Sequence, residues 1–210
     1  MKKLAVTLLL MVGAVCTLQA QNTMKDLFAG NTKLTYLGLD FTQARFVGST
    51  GFNDPIAIRA NIMPVWNTLQ ITEYEKYSLQ KSFKLPNELY AINVDDNVKR
   101  NKDINVNERI IDESYMITED DVKKAVKDYN VKEKSGIGLS YVVECYDKIR
   151  ERAFVWVTFI DLSNNKVLHT ERVEGAAGGF GVRNYWLSTN IKIKKQVEDK
   201  LYKKWREAFK

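Results

Sequence analysis

The densest run of chemically suggestive residues is Gly178-Gly179-Phe180-Gly181, followed closely by Arg183 and Asn184. Glycines ahead of a helix leave backbone N–H groups uncovered, and such groups attract anions. Arg183 adds a guanidinium able to grip an anion through two bonds, and Asn184 adds an amide. Gly178, Gly179, Gly181, Arg183 and Asn184 therefore form the candidate ligand-binding set. The run follows a strand rather than opening a β-α-β unit, and no Gly-Lys-Ser/Thr comes after it, so it departs from the nucleotide-phosphate loop. The same residues also fit a tight strand-to-helix connection needing positive φ, with Phe180, Tyr185 and Trp186 packing onto the sheet edge.

Other reactive types are sparse. His169 is the one histidine, so no His-rich metal site can form, and no serine stands in a Gly-x-Ser-x-Gly context. Beside Thr170 and Glu171 it reads as a solvated strand residue. Asp95-Asp96 with Asp103, and Glu119-Asp120-Asp121, lack the alternating spacing of a calcium-binding loop and read as a polar loop and a charged helix start. Cys145 lies in the strand-like run Tyr141 to Tyr146 and reads as a small buried hydrophobe. No metal or cofactor is implied, and no catalytic set emerges. Carboxylates that meet only in space would give a hydrolase, a reading that stays open as an alternative. A further lead is a possible interaction patch among Tyr74, Tyr77, Tyr90, Tyr115, Tyr185 and Trp186.

Composition sets the frame that must hold these residues. The chain has 210 residues, 45% hydrophobic and 28% charged, with 11 Gly and 3 Pro. That fits one globular domain and excludes collagen-like, coiled-coil and disordered chains. Met1 to Ala20 has Lys2 and Lys3, an apolar run from Leu4 to Val15, then Ala20, the pattern of a secretory signal peptide cleaved before Gln21. The run is short for a membrane span, and no later one is longer, so no transmembrane segment is expected. Gly13-Ala14-Val15 before Cys16 fits a lipid-attachment signal poorly, so a lipid anchor at Cys16 is not the expectation. Losing Lys2 and Lys3 takes the net charge from +6 to +4. Lys and Arg are scattered, and no nucleic-acid partner is implied. The expected location is the periplasm or the outer membrane of a Gram-negative bacterium.

After a polar leader over 21–32, residues 33–210 read as a single α/β domain. Lys33 to Val47 is a long first strand, bent or broken near Asp40. Asp54 and Pro55 start a helix carrying Ile58, Ile62, Trp66 and Leu69, with Pro64 predicting a kink or early stop. A second helix is expected over 72–83, a strand over 88–94 and an exposed loop over 95–109. Thr118 caps a helix whose inner face is Val122, Ala125, Val126 and Tyr129. Three antiparallel strands follow at 137–147, 152–162 and 166–174, the middle one nearly all apolar and so covered on both faces. A long helix over 185–209 ends the chain. The order β-α-α-β-α-β-β-β-α implies a mixed, twisted sheet of about five strands with helices on both faces.

From Thr118 onward this grammar has a parallel. A helix precedes Gly-x-Gly-x-x-Tyr-Val-Val at 136–143; a strand ending Thr158-Phe159-Ile160-Asp161-Leu162 then meets a polar turn, and its partner runs into the Gly-rich loop and a helix. Over about 34–205 the strand order resembles the α/β domain of envelope assembly lipoproteins, among them the curli secretion-channel lipoprotein, the outer-membrane activator of penicillin-binding proteins and the N-terminal domain of the Tol–Pal propeller protein. The missing lipidated cysteine departs from two of these three. The resemblance implies a non-catalytic envelope role through contact with another envelope protein or with itself. A binding module for a small anion at Gly178–Arg183 is the second reading, and the hydrolase the third.

Overall fold

A computed structural model describes residues 22–210. The signal peptide expected over 1–20, with Cys16, lies outside them. No helix among the described residues is long and apolar enough to cross a membrane.

Within the expected leader over 21–32, the described residues 22–32 are less loose than their composition suggests. Thr23 and Asp26 cap each other at the start of α1 (Met24–Phe28), and Met24 and Leu27 are buried in the core. The long first strand breaks near Asp40, giving β1 (Leu34–Asp40) and β2 (Arg45–Val47). Asp54 caps α2 (Pro55–Ala57) by accepting from the Ala57 N–H at 2.8 Å. The chain does not stop at Pro64, whose ring nitrogen has no N–H, and the irregularity expected there takes the form of a π turn just before it. A π turn over Ile58–Ile62 lets the Met63 N–H reach the Ile58 carbonyl, and α3 (Met63–Thr72) continues. The helix expected over 72–83 shrinks to α4 (Tyr74–Tyr77).

Next come β3 (Tyr90–Ile92), α5 (Asp95–Asn101) and β4 (Ile110–Ile111). Here the expected exposed loop is instead a helix that buries Asn97 and Asn101. The Thr118 expectation holds: Thr118 and Asp121 form a reciprocal cap on α6 (Glu119–Lys127), which buries Val122, Ala125 and Val126. Then follow β5 (Ile137–Asp147), β6 (Arg152–Asp161), β7 (Lys166–Ala176), α7 (Val182–Gln196), a π turn over Val197–Leu201, and α8 (Tyr202–Ala208).

β5 is the spine of one mixed sheet. β1 and β2 lie end to end along one side of it, both parallel, and are flanked in turn by β3 and β4, again parallel. On the other side β6 and β7 complete an antiparallel meander. The sheet is thus about five strand positions wide, as expected. One face packs Leu139, Tyr141, Val157 and Phe159 into the larger core with Trp66, Trp186 and Trp205 from the α3, α7 and α8 helices. The other face sets Leu37, Val142 and Ile160 against Val122 and Val126 of α6 and the adjoining Tyr129. β6 is buried on both faces along almost its whole length, which is why its sequence shows no alternation.

Between the ends of β3 and β4 the flank of β1 has no strand neighbour among the described residues. Three buried carboxamides take its place. Asn67 accepts from the Leu39 N–H at 2.7 Å and donates to the Leu39 carbonyl at 3.0 Å. Asn101 accepts from the Phe41 N–H at 2.8 Å and donates to the same Leu39 carbonyl at 2.9 Å. Asn97 donates to the Leu37 carbonyl at 2.9 Å and to Ser140 Oγ at 3.1 Å. A carboxamide offers the same donor and acceptor as a peptide unit, so it can stand in for a strand. Register slips at Gly38, whose φ is +85; a Cβ there would collide with the Asn67 oxygen and lie 2.9 Å from Val94 Cγ1.

Candidate functional site

The glycine-rich segment stands at the end of the sheet where β2, β5 and β7 finish. Its approach is fixed by backbone bonds. The Ala177 N–H donates to the Glu151 carbonyl at 2.8 Å, the Gly178 N–H to the Tyr185 carbonyl at 3.1 Å, and the Tyr185 N–H to the Gly181 carbonyl at 2.9 Å. Gly179 (φ +101) and Gly181 (φ +77) occupy backbone regions that L side chains rarely enter. The loop is therefore the strand-to-helix connection that its glycines implied.

Beneath it lies a cluster of rings. Trp186, on the second turn of α7, stacks on Tyr146 at 4.8 Å and on Phe52 at 5.3 Å between centroids. Trp66 packs edge-on against Tyr146 at 5.0 Å, and its Nε1–H donates to the Arg183 carbonyl at 3.0 Å. Trp66, Trp186, Tyr146 and Phe52 are all buried. Each aromatic pair adds about 0.5–1.5 kcal/mol beyond its buried area, so the start of α7 rests on a stiff base.

At the rim, the Tyr185 hydroxyl donates to Glu151 at 2.9 Å and accepts from Lys148 Nζ at 2.9 Å. The Tyr185 hydroxyl and the Lys148 ammonium together hold the Glu151 carboxyl below the usual carboxylate range. This ties the β5–β6 turn to α7. Ile149 in that turn is 66% exposed, and Val182 is 42% exposed. Phe180, at the crest of the loop, is 96% exposed. Positions Gly178 and Gly181 open onto empty space, so the loop projects from the surface and does not fold over a cavity.

The expected ligand set is only partly assembled. Gly178, Gly179 and Gly181 share the crest, and α7 begins without a side-chain cap. Arg183 Nε, however, donates to the neighbouring Asn184 Oδ1 at 3.1 Å, so these two side chains engage each other. Of the three aromatics expected to pack at the sheet edge, Trp186 is buried, Tyr185 is half-buried and Phe180 is not packed at all. The wider aromatic patch dissolves, because Tyr77 and Tyr90 are also buried and Tyr74 and Tyr115 half-buried. The signal that could have singled out Phe180 is its place between two glycines, which offer it nothing to pack against.

Elsewhere the reactive groups are engaged within the fold. His169 is half-buried rather than fully solvated: it packs among Phe159, Trp205 and Phe209, and burial lowers its pKa. Cys145 is buried as expected, and burial pushes its thiol up to about 12. Asp96 accepts from the Asn130 N–H at 3.0 Å and Asp95 lies 3.7 Å from Lys132, so both tie α5 to the segment after α6. The buried Glu144 accepts from Arg172 through both oxygens, at 2.6 and 2.9 Å, and from Trp156 Nε1 at 3.1 Å. Asp40, also buried, accepts from the Tyr129 hydroxyl at 2.8 Å and from the Thr42 N–H at 2.7 Å. No protein-family model matches the chain, and no curated protein matches it.

Proposed function

We propose that this is an exported accessory protein of the bacterial envelope that works by contact with another protein, or with a second copy of itself, rather than by catalysis. The observation that carries the reading is Phe180: a large apolar ring 96% exposed on a glycine loop whose base is rigid. Aromatic anchors held in advance of binding supply most of the energy of many interfaces, because little order remains to be imposed on association. Ile149 and Val182 add exposed apolar side chains at the same end of the sheet. The export pattern of residues 1–20 and the likeness in strand order to envelope assembly domains support the same role.

The test replaces Phe180 with a photo-crosslinking amino acid in the cells that make the protein, and compares Phe180→Ala in co-purification. A discrete crosslinked species, lost in Phe180→Ala at unchanged melting temperature, supports the proposal. No crosslinked protein, or a partner retained undiminished by Phe180→Ala, overturns it.

A further inference from the structure

A second surface lies along β7, an edge strand of 11 residues that among the described residues pairs only with β6. The Ala177 N–H turns inward to Glu151, whereas the Glu174 carbonyl turns outward and accepts from Gln196 Nε2 at 2.6 Å. Alternate residues of an antiparallel strand direct their backbone groups to opposite sides. Thr170, Arg172, Glu174 and Ala176 therefore face outward. Among the described residues the N–H and C=O of Thr170, Arg172 and Ala176 have no hydrogen-bond partner. The Gln196 amide occupies the place where an added strand would donate to Glu174.

Beside this half of β7 runs a groove of about 390 Å³, walled on its far side by Lys192, Lys195, Asp199 and Lys200 of α7 and the π turn. On the β7 side Arg152 and Glu174 satisfy each other at 2.6 Å. The three lysines form no ion pair among the described residues, so the groove is left with an excess of positive charge. Unpaired strand edges accept further strands, and opposite charge selects which strand is accepted.

We propose that the outer edge of β7 and this groove take an extended acidic segment of a partner protein. The segment adds as a strand on Thr170, Arg172, Glu174 and Ala176, displaces the Gln196 amide, and sets the carboxylates of every second residue against Lys192, Lys195 and Lys200. The surface is separate from the Phe180 crest, so Phe180→Ala leaves this binding unchanged whether or not the crest has a partner.

The probe is a fluorescent ten-residue peptide of alternating Glu and Thr, with a Lys–Thr peptide as control, titrated against the whole protein. The Glu–Thr peptide should bind saturably, and Lys192→Glu/Lys195→Glu/Lys200→Glu should weaken it at least tenfold. These lysines are exposed, and circular dichroism confirms that the variant is folded. N-methylation of one alternate set of peptide amides should abolish binding while the other set is tolerated, as only one set faces β7. In the free protein the Thr170 and Arg172 amides should exchange with solvent fast and the Val173 amide slowly; peptide should slow the first two at least tenfold. Equal binding of the Lys–Thr peptide, equal effects of the two N-methylation patterns, or Thr170 and Arg172 amides already slow in the free protein would each overturn the proposal.

Discussion

The flank of β1 and the outer side of β7 pose the same problem and receive opposite answers. Both are runs of strand with no strand beside them. Along β1, Asn67, Asn97 and Asn101 reach in from two helices and bond the peptide groups of Leu37, Leu39 and Phe41. Along β7, the one side chain among the described residues that reaches round is Gln196, and it meets a single carbonyl. The difference follows from burial. The β1 gap lies under α3 and α5, where an unpaired peptide group costs about 1–3 kcal/mol. The β7 edge meets solvent, where water supplies the missing bonds at no such cost.

The sharpest way to break this contrast is to remove a carboxamide. Asn67→Leu strands the Leu39 N–H in the interior and should cost about 3 kcal/mol in urea unfolding, whereas Gln196→Leu, which frees the Glu174 carbonyl at the solvent-facing edge, should stay within about 1 kcal/mol. A loss at Asn67 as small as that at the edge would mean that the β1 flank has water of its own. Next in size is Arg172→Met, which leaves Glu144 buried with its charge uncompensated. Removing one partner of a buried pair is strongly destabilising, and the partial exposure of Arg172 brings the expected loss to about 2 kcal/mol. An unchanged urea midpoint would show that the Arg172 charge is not what keeps Glu144 stable in the interior.

A smaller effect is expected with pH. Burial lowers the pKa of His169 on β7, so the unfolded chain takes a proton more readily than the folded one. That contribution is complete above about pH 6.5, the ordinary imidazole value, and is lost as pH falls through the lowered value. The melting temperature should therefore drop between pH 7 and pH 5, and His169→Gln should flatten that drop. A wild-type curve already flat over this range would refute it. The smallest expected effect is none at all. Cys145 sits on β5 beside β2, and a thiol reagent should leave it untouched in the native protein while modifying it readily in urea. Native labelling that quickens in Asn67→Leu would show that the carboxamides also keep this side of the sheet shut.

The meander was legible because its causes are local. β-branched and aromatic runs, a polar turn with Asn165 at φ +58, and a Thr118–Asp121 cap each declare themselves within a few residues. The 95–109 segment was not, for the opposite reason. Its many asparagines disfavour a helix by composition, since such side chains compete for backbone bonds. Here Asn97 and Asn101 spend those bonds on peptide groups of β1 about sixty positions earlier, and only the folded chain brings the two together. The glycine loop was half legible. Gly179 and Gly181 announced their positive φ, but whether Phe180 would fold back or stand free depends on the space around it, which no spacing encodes.

The strand that carries His169 and Arg172 also fixes how the molecule would hang from anything attached ahead of it. Asn22 donates to Asp161 at 3.1 Å, beside the β6–β7 turn, and Phe28 meets Tyr202 and Phe209 near the other chain end. The Phe180 crest lies past the opposite end of β7. The ten residues of β6, about 33 Å at 3.3 Å each, separate the two. A tether joined ahead of Asn22 would hold the protein like a lamp on a bracket, its aromatic crest turned outward and its lysine groove along the side.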